Sequence, residues 1–153
     1  MKKSYVKLVA LTALLVLFFV PYEISAKKRV KEEAKPGGIK VALDIMTVME
    51  HHKMMKMMKM EMKKMKMDSD ATHHLSVTLI DESTGKGIKE AKAHVSCLSQ
   101  EGKEVENTYL MFMSKMGHFG GEITLGRGKF YIKVTITLKD GFKYTTTFPF
   151  IVP

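Results

Sequence analysis

Between Phe130 and Leu138 every second residue is apolar: Phe130, Ile132, Val134, Ile136 and Leu138 alternate with Tyr131, Lys133, Thr135 and Thr137. Successive side chains of an extended strand point to opposite faces, so this stretch builds a half-buried strand; a helix would scatter the same apolar residues around its surface. Asp140-Gly141 comes next, a pair that tolerates the positive φ angles of a tight hairpin turn. Phe142, Tyr144, Phe148 and Phe150 line the return, and Pro149, which has no N–H to donate, places that strand at a sheet edge.

The same period recurs upstream. Leu75, Val77 and Leu79 alternate with Ser76 and Thr78; Ala91, Ala93, Val95 and Cys97 alternate with Lys92, His94 and Ser96. From Val105 to Met113, Tyr109, Met111 and Met113 share one side and Leu110 and Phe112 the other, and a short strand surrounds Ile123 and Leu125. Six or seven short strands at this spacing predict an all-β, immunoglobulin-like β-sandwich over residues 71–153, with no helix required inside it.

Residues 1–26 read differently. Lys2, Lys3 and Lys7 precede a 13-residue apolar run from Leu8 to Val20, and Ser25-Ala26 supplies a small-residue end. That order is the pattern of a secretory signal peptide cleaved after Ala26, and the run is short of the roughly 20 residues that span a bilayer. No cysteine follows it to carry a lipid anchor. The predicted destination is the periplasm or the extracellular space. Cys97 is the chain's only cysteine, which excludes an internal disulfide, and its place in an apolar alternation predicts a buried thiol.

Charge separates a tail from the domain. Lys27 to Met67 holds twelve Lys/Arg against five acids, whereas Asp68 to Pro153 holds ten against ten. Residues 27–70 are accordingly expected to be a basic tail or linker. Its basic run contains no aromatic residue for base stacking, so nucleic acid is an improbable partner.

Within that tail, HHKMMKMMKMEMKKMKMD from His51 to Asp68 contains eight methionines and six lysines. Thioether sulfur is a neutral, polarizable donor suited to Cu(I) and Ag(I), and imidazole serves Cu(I), Cu(II), Ni and Zn. His51 and Met54, His52 and Met55, Met54 and Met57, Met55 and Met58, and Met62 and Met65 are three apart, which puts each pair on one helix face. A helical wheel also gathers Met54, Met55, Met57, Met58, Met62 and Met65 into an arc of about 160° opposite the lysines. The alternatives are therefore a soft-metal array, an amphipathic helix docking on a membrane surface or exported partner, and a solvated spacer.

HLSVTLIDESTGKGIKEAKAHV and GHFGGEITLGRGKFYIKVTI carry a resemblance to the small exported YtkA-like domains and to periplasmic copper-resistance sandwiches. Gly87, Ile88, Ala91 and Val95 fit one step of that pattern, and Gly117, Phe119, Ile123, Leu125, Gly128 and Phe130 fit another. The resemblance implies the sandwich fold, and the His/Met pairs of the tail are similar to those of silver- and copper-buffering exported proteins. What stands outside the pattern is Met111, Met113, Met116 and His118 in place of ordinary loop residues.

Met113, Met116 and His118 come from one loop, and His73 or His74 would complete a set of three or four nitrogen and sulfur ligands if the first strand begins beside it. No H-E-x-x-H, paired-acid or glycine-rich phosphate motif occurs, so an enzyme is not expected. The expected function is an exported protein that buffers or carries copper, in the Cu(I) or Cu(II) state. A non-metal adhesion or assembly module is the competing class.

Overall fold

The computed structural model describes residues 29–34, 36–58 and 70–153; the segment expected to be a signal peptide, Met62 and Met65 lie outside the described residues. Among the described residues eight strands form: β1 (Arg29–Ala34), β2 (Ile39–Thr47), β3 (His73–Asp81), β4 (Ala91–Ser99), β5 (Glu104–Met113), β6 (His118–Ile123), β7 (Gly128–Leu138) and β8 (Lys143–Val152). One helix, α1 (Val48–Met57), follows β2. All neighbouring strands are antiparallel, in the order β1-β2-β3-β6-β5-β4-β7-β8.

The sheet folds over on itself at β5. Residues Glu104 to Leu110 pair with β4, and Met111 to Met113 pair with β6. That switch lets the two halves face each other as a sandwich, the expected all-β architecture. Val41, Leu43, Leu75, Val77 and Phe119 from one half form a single cluster with Val95, Ile132, Val134, Ile136 and Phe148 from the other. Cys97 belongs to it, and burial, reinforced by Glu106 and Glu104, pushes its thiol up to about 12. A thiol held protonated in this way is neither a nucleophile nor a ready metal ligand.

The expected tail of residues 27–70 is corrected in its first part. Ile39, Val41, Leu43 and Ile45 are buried in alternation, and all of β2 pairs with β3 from Ile39↔Asp81 to Thr47↔His73. The alternation was masked by its basic surroundings; once β3 exposes an edge, the apolar face of β2 is drawn to it. Leu43 is 1% exposed. Leu43→Ala is expected to lower unfolding free energy by about 2–5 kcal/mol in a denaturant titration, whereas a tail residue would cost almost nothing.

A turn at Pro36–Gly38 joins β1 to β2 and rests on β8. Gly37 has φ 60°, and a Cβ there would collide with the ring of Tyr144, so only glycine permits this closure. Among the described residues no helix is long and apolar enough to cross a membrane.

Candidate metal centre

α1 exists because its first turn is satisfied locally. Thr47 caps it: the Glu50 backbone N–H donates to Thr47 Oγ1 at 3.2 Å, and the Thr47 N–H donates to Glu50 Oε2 at 3.1 Å. This reciprocal pair is the capping box that T-V-M-E encodes. Val48 N–H also donates to Thr72 O at 3.1 Å, which ties the helix start to the entrance of β3. The residues that follow are mostly lysine and methionine, both good helix formers.

The helix covers the outer face of β2 and β3. Its buried residues are His51 and Met55, four apart and hence on one side. Beneath it the strand register lays out a row, Met46↔His74↔Glu122. His51 lies flat on His74, with ring centroids 3.6 Å apart and planes 4° from parallel. His51, His74 and Glu122 bring ligand atoms within 4.8 Å of one another.

His118 opens β6 on the same face, opposite Met113 of β5. The thioether of Met113 folds over Gly120, where a Cβ would meet Met113 Sδ at 2.7 Å and His74 Cε1 at 3.4 Å. Gly120 therefore makes the hollow in which sulfur and imidazole approach each other. Gly120→Ala is expected to push the Met113 thioether aside and, at a metal centre built on these residues, to weaken affinity about ten- to a hundredfold, with folding preserved, as a chelator competition and a thermal melt would report together.

Both ring nitrogens of His51, both of His74 and Nε2 of His118 are buried without a hydrogen-bond partner among the described residues. Buried polar atoms are ordinarily paired, so five such nitrogens in one place call for another kind of partner. Their electrostatics agree. Burial, then the neighbouring His51 and His118, hold the His74 imidazole down at about 3, against an ordinary 6.5, with Asp44 opposing. Burial also lowers His51, with His52 and His118 adding to it, and burial lowers His118 against the pull of Asp44. The imidazoles are kept neutral, which is the form that ligates metal.

The structure sorts the residues expected from sequence. It brings together His51, His74, Met113 and His118, with His52 at the margin, its ring centroid 6.3 Å from His51. Met55 is inside but pairs in orientation with His51, not with His52, because the four-residue spacing is the one that faces the sheet. His73 is excluded. As the neighbour of His74 in a strand it points to the opposite face, edge-on to Phe150 at 5.4 Å and hydrogen-bonded through Nδ1 to Thr72 Oγ1 at 2.8 Å. Met116 sits in the turn between β5 and β6, its N–H donating to Met113 O. Met54 is half-buried, and Met57 and Met58 face solvent.

Glu122, Gly120 and Met46 were not singled out in the sequence. His118, Gly120 and Glu122 do alternate with Phe119 and Ile123, and that period was the available signal. Nothing local announced that the outward face of β6 would itself be covered.

No family model matches the chain, and no curated protein does. Solved structures do. FetP from a uropathogenic E. coli strain, as isolated after expression in the periplasm of E. coli, matches with a TM-score of 0.61 at 14% identity, over 82% of this chain and 97% of that one. The copper-reconstituted P19 protein from Campylobacter jejuni matches with a TM-score of 0.58 at 16% identity, over 82% and 98%. A copper-bound variant of that protein gives 0.61 at 14%, over 81% and 97%. At such identities the likeness is one of fold.

Proposed function

We propose that this chain is an exported copper-binding protein, a carrier or buffer and not an enzyme, and that it holds the ion between α1 and the outer face of β3 and β6. The observation that carries this reading is the stacked His51/His74 pair, whose four ring nitrogens are all buried and unpartnered. His118 and Met113 complete a nitrogen and sulfur set, and Glu122 adds an oxygen. Copper fits this mixture better than zinc or magnesium, since a thioether contributes little to harder ions while imidazole serves both copper states. The copper-bound neighbours of the same fold lend support.

Parallel rings keep their lone pairs in separate parallel planes, so two stacked imidazoles cannot both aim at one point. Ligation would tilt one ring, and since His51 sits on α1 while His74 sits in the sheet, the helix is the element free to adjust. The neutral state of both rings removes most proton competition for the ion. Soft ligands also suit a compartment in which thiols would be oxidised, and the one thiol present is sealed in the core.

Chelator-competition titrations with Cu(I), Cu(II) and Zn(II), read by native mass spectrometry, test this directly. One tight copper per chain is expected, with Cu(I) favoured over Zn(II) and weakened by Met113→Leu. Zinc bound as tightly as Cu(I), or a Cu(I) affinity indifferent to Met113→Leu, would sink the reading.

A further inference from the structure

α1 has two sides with different chemistry. Inward it presents His51 and Met55, buried. Away from them lie Met54, half-buried, Met57, 77% exposed, and Met58, 47% exposed. Met54 is three residues from Met57 and four from Met58, so the three thioethers are neighbours on the helix surface. The turn holds to its end, because the Met58 N–H donates to Met54 O at 3.0 Å.

We propose that Met54, Met57 and Met58 form an exposed capture site for monovalent soft cations, Cu(I) in particular, which loads the buried imidazole site beneath the same helix; this presupposes the copper site proposed above. Solvent-facing thioethers are neutral, loosely held donors that exchange ligands readily. Lys53 and Lys56, also exposed on α1, keep a bound cation weakly held. The unpartnered nitrogens of His51 and His74 offer the opposite: desolvated, pre-positioned donors with nothing else to bind.

His51 and Met55 are four residues apart, about 6 Å along the axis, while Met54 lies three residues from His51 and Met58 three residues from Met55. An ion moving from the outer thioethers to the imidazoles thus crosses about two turns from Met58 and less than one from Met54, the half-buried thioether next to the inner face. It keeps its charge throughout; only its ligands exchange. The geometry also gives direction to the transfer, from an exposed site of low affinity to an enclosed one of high affinity.

The test uses the full chain and Cu(I) presented anaerobically as its bicinchoninate complex, whose colour is lost on uptake. In the Met54→Leu/Met57→Leu/Met58→Leu variant, leucine preserves helix propensity and apolar surface while deleting sulfur. Uptake is expected to slow roughly tenfold or more, as loss of a tethered donor implies, while the final affinity stays within about twofold of the parent. In a His74→Phe background, native mass spectrometry with Ag(I) alone should show a weakly held silver that the triple leucine change removes. An unchanged uptake rate, or a silver stoichiometry untouched by the leucines, overturns the capture site. Failure of the buried site looks different: the parent would then hold no tight copper that His74→Phe abolishes, whatever its uptake rate.

Discussion

Replacing His74 with phenylalanine is expected to remove tight copper binding and, at the same time, to make the metal-free protein more stable. The two effects have one cause. His74 is 1% exposed, and neither ring nitrogen has a hydrogen-bond partner. A buried polar group left unsatisfied costs about 1–3 kcal/mol, and an apolar ring of similar shape removes that cost. Phenylalanine can also keep the stack on His51. Copper affinity should fall by more than the roughly hundredfold that disturbing a ligand's surroundings alone can cost. Denaturant unfolding and chelator competition on the same variant check both halves. A His74→Phe protein that is less stable than the parent would mean that the imidazole is satisfied in the native protein, and the case for a metal partner would weaken with it.

Acid should destabilise the metal-free protein well before its carboxylates titrate. His74 has an ordinary pKa of 6.5 when unfolded and about 3 when folded. Between those values the unfolded chain binds a proton that the folded chain refuses, so lowering the pH favours unfolding. The stabilisation is fully present above 6.5 and is lost progressively as the pH falls toward 3, at about 1.4 kcal/mol per pH unit for this one group. His51 and His118 shift in the same direction and steepen the slope. Melting temperatures between pH 7 and 4 should therefore drop in the parent and drop less in His74→Phe. Equal slopes in the two proteins would contradict the burial of a neutral His74. Saturating Cu(I) should delay the loss, since an occupied imidazole has no free lone pair for the proton.

Much of the fold was written in the local order of residues. From Leu75 to Val152 the period of two identifies strands because alternation is a property of the backbone itself: a strand has two faces whatever it packs against. Cys97 could be assigned to the core on the same ground, and Met116 and His118 stood out because a methionine and a histidine in a Ser/Gly loop gain little from ordinary packing, whereas Met113 read equally well as a core residue on the face of Tyr109. What alternation could not supply was the partner of each face. β2 reads weakly because Ala42 and Met46 put apolar residues on its second face beside Lys40 and Asp44, and only the open edge of β3 shows why Val41, Leu43 and Ile45 are core.

The site itself was a decision of tertiary structure. His73 and His74 are equivalent in sequence, yet a one-residue difference in a strand is a change of face, so the register with β2 and β6 sends one toward Phe150 and the other under α1. Likewise the methionine run allows three-residue and four-residue pairings alike, and the sheet selects His51 with Met55 because those two residues can be buried against it together. Glu122 and Gly120 carry only the signal of alternation with Phe119 and Ile123; the first matters through its cross-strand place beside His74, the second through the Cβ it lacks. Local order decided the strands from β3 onward and the stock of soft donors, because both depend on short-range spacing and residue type. Which donors meet depended on strand order and on a helix folding back over the outer face, and those are long-range contacts that no local spacing encodes.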